Sequence, residues 1–175
     1  MGNVEGNLPR RKALRLAAFD YNTPGAYFIT ICTHNKQKIL SAIVGDDAHI
    51  VPKPYGEIVE KYIRNVPEIE QYVIMPNHVH MIIRLDNGSM WASTPTTIPS
   101  NNCVGDTAHF VPQNNRVSSI VRSMKTLTTK EIGHSIWQRS YYDHVIRNQE
   151  DYNMAAKYIE ENPLRWKQDK LYIKE

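Results

Sequence analysis

"PNHVHMIIRL", residues 76–85, is the stretch whose reading decides the fold. Successive side chains on a strand point to opposite faces. His78, His80, Ile82 and Arg84 then share one face, and Val79, Met81, Ile83 and Leu85 the other. The second face is wholly apolar and reads as core. The first opens with two imidazoles, which need either a shared ligand or hydrogen-bond partners of their own.

The neighbouring segments supply the rest of a sheet. "IEQYVIMP" (69–76) reads as a strand joined to 78–85 by a tight antiparallel link at Pro76-Asn77. "YGEIVEKYIRNV" (55–66) places Ile58, Val59, Tyr62, Ile63 and Val66 at helical spacing. "AYFITICT" (26–33) follows the turn signal "NTPG" and is β-branched and aromatic, so it is a strand. Downstream, residues 86–115 are rich in Ser, Thr, Asn and Pro without periodicity and read as a long loop. "VSSIVRSMKTLTTKEIG" (117–133) is helical with a stop at Gly133, and "IWQRSYYDHVIR" (136–147) alternates as a strand. A last helix runs from a cap at Asn148 to the break at Pro163. The order β-α-β-β-α-β plus a terminal helix predicts an α+β, ferredoxin-like fold: a four-stranded antiparallel sheet with two helices on one face. The histidine face of 78–85 is expected on the other face.

Bulk properties bound the function classes. The 175 residues fit a single domain, 1–175, with a core of useful size and a basic arm at 1–17. Hydrophobic residues make up 41% and charged residues 22%, the balance of a soluble globular chain. No run of eighteen apolar residues predicts a membrane helix, and "MGNVEGNLPRRKALRL" has no apolar core of a signal peptide. Gly6 stands where a myristoylation signal would need Ser or Thr. Cys32 and Cys103 lie far apart with no CxxC, consistent with the reducing cytoplasm. A net charge of +3 permits nucleic-acid binding without demanding it. One duplication stands out: "VGDDAHIVP" (44–52) recurs as "VGDTAHFVP" (104–112). Two copies do not make a solenoid. Paired edge strands or a copied loop is the better reading, ahead of a second metal site at His49 and His109, which lack companion ligands.

Two same-face histidines on one strand lie roughly 6–7 Å apart at Cα, close enough to share a cation. Alone, an HxH is better explained by exposed or hydrogen-bonded imidazoles on a half-buried strand. The terminal helix raises the stakes. Tyr152, Ala155, Ala156 and Ile159 form the stripe that must pack on the sheet, and Tyr158 and Asn162 sit side by side on its flank. Such a pair is ordinary packing on most helices. Against a metal-binding strand it becomes a nucleophile and a third ligand. A phenol attacks a phosphodiester only when a base or cation favours the phenolate, and a metal would also polarise the phosphate.

"MPNHVHMII", "IWQRSYYDHVIRN" and "YIEENPLRW", with the opening "RRKALRLAAFDYNTPGAYFITICT", together resemble the HUH single-tyrosine transposases, and within them the REP-associated tyrosine transposases. The likeness spans Arg10 to about Trp166 apart from the 86–115 loop. His78-Val79-His80 fits the His-hydrophobic-His pattern that names the group. The resemblance implies His78 and His80 as metal ligands, Asn162 completing the site, Mg²⁺ or Mn²⁺ as cofactor, and Tyr158 as nucleophile. It further implies cleavage of single-stranded DNA through a 5′-phosphotyrosine link, rejoining by a 3′-OH, and a REP-like DNA hairpin as partner. The protein would be a cytoplasmic monomer or homodimer, with a modest preference for a site built within one chain.

Tyr141 and Tyr142 compete with Tyr158, which is preferred for the motif and for Asn162 at i+4. Arg122, Lys125 and Lys130, preceded by Arg116, form a basic helix face suited to phosphate contacts, and Arg10, Arg11, Lys12 and Arg15 a basic cluster near the start. Trp137, Tyr141 and Trp166 are candidate stacking platforms, with core packing the better reading of Trp137. Other classes fit less well. A non-catalytic nucleic-acid-binding ferredoxin-like module needs aromatics at the sheet centre, and a two-histidine phosphoesterase needs a second His-x-Thr/Ser motif. A domesticated transposase with a regulatory role shares the same motifs.

Overall fold

The computed structural model describes residues 22–86 and 115–174. The elements in chain order are β1 (Gly25–Cys32), β2 (Ser41–Val44), β3 (His49–Pro52), α1 (Pro54–Arg64), β4 (Ile69–Ile74), β5 (His78–Leu85), α2 (Arg116–Ile132), β6 (Tyr142–Ile146) and α3 (Gln149–Glu161). The main sheet runs β4-β5-β1-β6, with every pairing antiparallel. The fold is thus the expected α+β, ferredoxin-like arrangement, with β2 and β3 as an added hairpin.

β1 and β5 form the centre, in register from Gly25↔Leu85 to Cys32↔His78. Their alternation decides the layers. Tyr27, Ile29 and Ile31 join Val79, Met81, Ile83 and Leu85 in a core closed by Val59 and Ile63 of α1 and Val117, Val121 and Met124 of α2. On the opposite face, Ile82, Ala26 and Val73 meet Ile159 of α3 and Trp166, with Tyr152, Ala155 and Ala156 packed alongside. The predicted stripe of the terminal helix therefore lands on the histidine side of the sheet.

Local chemistry sets the boundaries. The Asn115 side chain accepts from the Ser118 N–H at the start of α2, and Gly133 ends it in the left-handed conformation at φ 88°. The Asn148 side chain caps α3 by accepting from the Asp151 N–H at 2.8 Å. Gly56 in α1 lies so near the 39–41 segment that a Cβ would come within 2.0 Å of the Leu40 carbonyl oxygen. A side chain there would displace the helix or the loop.

Two expectations are corrected. The strand predicted over 136–147 spans only Tyr142–Ile146, preceded by an isolated bridge between Thr33 and Trp137. Lys125 Nζ donates to the carbonyls of Gln138 (2.7 Å) and Ser140 (3.0 Å), so these groups serve a lysine instead of a ladder. Second, residues 41–52 carry a hairpin that the sequence reading treated only as one copy of the duplication. Its strands pair from Ser41↔Pro52 to Val44↔His49, so Val44 and His49–Pro52 of "VGDDAHIVP" belong to a hairpin apart from the main sheet. The second copy, most of the 86–115 loop and the basic arm lie outside the described residues. Among the described residues, no helix is long and apolar enough to cross a membrane.

Candidate active site

The site lies on the α3 face of the sheet, at the end where Cys32 pairs with His78. His78 and His80 are 0% and 3% exposed. Their facing Nε2 atoms are 3.0 Å apart, and both Nδ1 atoms are engaged. His78 Nδ1 lies 2.7 Å from Asn77 Oδ1, while Asn77 Nδ2 donates to the Leu171 carbonyl at 2.9 Å. That second bond fixes the amide, so Asn77 Oδ1 is an acceptor and His78 Nδ1 carries the proton. The Nε2 of neutral His78 is consequently a bare lone pair. His80 Nδ1 lies 2.8 Å from Thr30 Oγ1, a hydroxyl that serves as donor or acceptor by rotation. With Thr30 donating, the two Nε2 atoms share one proton. With Thr30 accepting, both lone pairs face a common point and call for a cation. Burial lowers His78 to about 4 and His80 to about 3, the latter helped by His78, so both rings are neutral at physiological pH, as metal ligation requires.

α3 brings up the other groups. The Tyr158 ring lies edge-on to His80 with centroids 5.1 Å apart, and Phe28, stacked on His80 at 5.2 Å, fills the floor between them. Asn162 is 2% exposed. Its Nδ2 donates to Asp169 Oδ2 at 3.0 Å, and its Oδ1 is buried without a hydrogen-bond partner among the described residues. Tyr158 Oη donates to the same Asp169 oxygen at 3.1 Å. Asp169 itself offers a carboxylate oxygen within 4.8 Å of the ligand atoms of His78 and His80. Burial, then the nearby Asp169, pushes the Tyr158 phenol up to about 12. Burial draws Asp169 upward, but the Leu171 N–H and the Asn162 amide outweigh it and hold the carboxyl below its ordinary range. The phenol therefore keeps its proton until a positive charge is placed nearby.

Two neutral imidazole nitrogens and one orphaned amide oxygen, with a carboxylate close by, make a donor set that fits a divalent cation. An unpartnered buried oxygen normally costs stability, and a cation would satisfy it. The predicted residues His78, His80, Tyr158 and Asn162 are thus brought together. Asp169 was missed. It follows the Pro163 break in a segment with no periodicity, and a lone aspartate there carries no pattern to be read.

The remaining predicted residues are placed differently. Tyr142 is 54% exposed at the start of β6, and Tyr141 bonds Ser118 Oγ on the α2 side, so neither rivals Tyr158 in closeness to the histidines. Trp137 is core, its Nε1 donating to Thr128 Oγ1. Trp166 is no exposed platform: it is buried, its ring 5.8 Å from that of His78. Arg122, Lys125 and Lys130 line a groove of about 1010 Å³ between α2 and residues 135–141, joined by Arg139, Trp137 and Tyr141, with no acidic side chain in its lining among the described residues. Lys125 is the exception among these cations, because its nitrogen is committed to two carbonyls and burial lowers it to about 8. Arg116 pairs with Glu68 at 2.9 Å and anchors α2. Arg10, Arg11, Lys12 and Arg15 lie outside the described residues.

The architecture and site define a ferredoxin-like α+β protein with a buried histidine pair under a tyrosine-bearing helix. No family model matches the chain. A Haemophilus influenzae protein, described as an uncharacterized protein, is 32% identical over 179 aligned positions that cover 93% of each chain. This chain belongs to the same family as that protein. Among solved structures, it is similar to a REP-associated tyrosine transposase bound to a REP hairpin, with a TM-score of 0.51 and 23% identity, over 84% of this chain and 71% of the other. That likeness establishes a shared fold.

Proposed function

We propose that this protein is a single-stranded DNA transposase or endonuclease that cleaves and rejoins DNA through Tyr158. The observation that carries the reading is the convergence of two buried Nε2 atoms 3.0 Å apart, the tyrosine ring against His80 and the Asn162 oxygen without a partner among the described residues. His78, His80 and Asn162 would hold Mg²⁺ or Mn²⁺. A divalent cation at this point supplies Lewis-acid polarisation of the scissile phosphate and favours the phenolate. Tyr158 Oη would attack phosphorus while the 3′ oxygen leaves, forming a 5′-phosphotyrosine and a free 3′-OH. Attack by a 3′-OH reverses the step and releases the tyrosine. The position on α3 suits this role, because Tyr158 is 44% exposed while its ring rests on His80.

The partner would be a REP-like DNA hairpin. The structural neighbour's hairpin complex supports that reading, as does the basic groove beside α2, where Arg122, Lys130 and Arg139 offer contacts to a phosphate backbone. Lys125 would act by shaping this wall. The basic arm with Arg10, Arg11, Lys12 and Arg15 would add contacts to the flanking strand. A non-catalytic module reading the open sheet face is disfavoured, since α3 and Trp166 cover that face.

The test is an incubation of labelled hairpin DNA carrying a single-stranded flank with the protein and Mn²⁺. A covalent adduct on a denaturing gel is expected, abolished by Tyr158→Phe. An adduct that persists in that variant overturns the nucleophile assignment. Calorimetry supplies the metal arm: His78→Ala and His80→Ala should each abolish Mn²⁺ binding, and unchanged binding makes the pair structural.

A further inference from the structure

Asp169 stands outside every motif that led to the site, yet the site is organised around it. One carboxylate oxygen receives both the Tyr158 hydroxyl at 3.1 Å and the Asn162 amide at 3.0 Å, and the other accepts the Leu171 N–H at 2.6 Å. The same short segment reaches the strand side, since the Leu171 carbonyl accepts from Asn77, whose oxygen orients His78. Buried Trp166, packed against His78 and Tyr172, ties the segment down. The turn at 169–171 therefore links the helix half of the site to the strand half.

An asparagine side chain has two ends of similar shape, of which only the oxygen ligates a cation. With Asp169 holding the Nδ2 end, the oxygen end is left free, one of two buried side-chain oxygens, with Asp143 Oδ1, that have no hydrogen-bond partner among the described residues. We propose that Asp169 is the positioning residue of the cation site: by binding the Asn162 Nδ2 and the Tyr158 hydroxyl together, it presents the Asn162 oxygen to a divalent cation and keeps the nucleophile beside it. Outer partners of this kind typically alter metal affinity tenfold to a hundredfold when removed. The inference rests on the cation site proposed above, and Asp169 acts in it through Asn162, without taking a coordination position of its own.

The experiment is a double-mutant cycle read by Mn²⁺ calorimetry on the full chain, with melting in chelator as the control for folding. Asp169→Ala should weaken Mn²⁺ binding by roughly tenfold to a hundredfold when Asn162 is present. In an Asn162→Ala background the same change should cost no more than about twofold, within the scatter of such cycles, because the coupling partner is gone. Equal losses in both backgrounds overturn the inference by making Asp169 a ligand itself, and no loss in either overturns it outright. If Asp169→Ala melts below the assay temperature, Asp169→Leu, which fills the volume and offers no acceptor, enters the same cycle with the same outcomes. Should His78→Ala retain Mn²⁺ binding, the cation site itself fails. If His78→Ala abolishes binding while Asp169→Ala leaves it intact, only the present inference falls.

Discussion

From His78 to Ile83, β5 presents two faces that are equally buried and chemically opposed. Val79, Met81 and Ile83 are 0% exposed on one side, while His78 and His80 are 0% and 3% exposed on the other. The apolar face needs only matching volume, because every atom it buries gains from leaving water. The histidine face buries polar atoms whose bonding capacity must be met, by Asn77, Thr30 and one further charge or proton between the rings. Burial by itself therefore does not separate core from site. On the histidine side the bonding left unmet does: two Nε2 atoms facing each other, and one amide oxygen of α3's end without a partner among the described residues.

The comparison breaks most sharply in stability. Met81→Ala should destabilise the fold by about 2–5 kcal/mol in chemical denaturation, and Met81→Leu by less than about 1.5 kcal/mol. The Mn²⁺ affinity of the folded Met81→Ala protein should stay within about twofold of the parent, as expected for an independent site. A large loss of Mn²⁺ binding would show that the two faces are coupled through the strand.

Acid sharpens the contrast next. The two histidines stay neutral when folded because burial lowers them to about 4 and about 3, whereas the unfolded chain takes up those protons near 6.5. Below 6.5 the unfolded state binds more protons, so stability falls as the pH drops towards about 4 and then 3. Above 6.5 this contribution is complete. Denaturant midpoints of the chelator-treated protein should decline between pH 7 and 4.5, and the decline should flatten in a His78→Gln/His80→Gln double variant. Equal slopes in both proteins would mean the rings are already protonated in the folded state.

The smallest effect concerns the basic groove on the α2 side. Arg122→Ala and Lys130→Ala should each lower the slope of log affinity for hairpin DNA against log salt by about 1, one lost phosphate contact apiece. Lys125→Met should leave that slope unchanged and reduce stability, because its nitrogen is held by Gln138 and Ser140. A slope change for Lys125 equal to the other two would return it to the DNA-contacting set.

Much of this was legible in the residues. The alternation of 78–85, the caps Asn148 and Gly133, and the stripe at Tyr152, Ala155, Ala156 and Ile159 are local patterns, and each appears where it was expected. The failures have separate causes. The strand over 136–141 was lost because a lysine on another element takes two of its carbonyls, and the 41–52 hairpin was obscured by a turn-rich copy of a repeated motif. Trp166, read as a surface platform, is buried because the chain folds back after Pro163 and lays its ring on His78.

By itself the sequence determined the period of each element, and hence which residues of β5 and α3 could share a face. It also held the two imidazoles, the tyrosine and the carboxamide at spacings that suit one site. Only the tertiary structure decided that Asp169 stands among them, that Asn162 has an oxygen to spare, and that the imidazole nitrogens turn towards each other. Periodicity is a property of neighbours along the chain. Whether a buried polar atom has a partner depends on segments that meet only after folding.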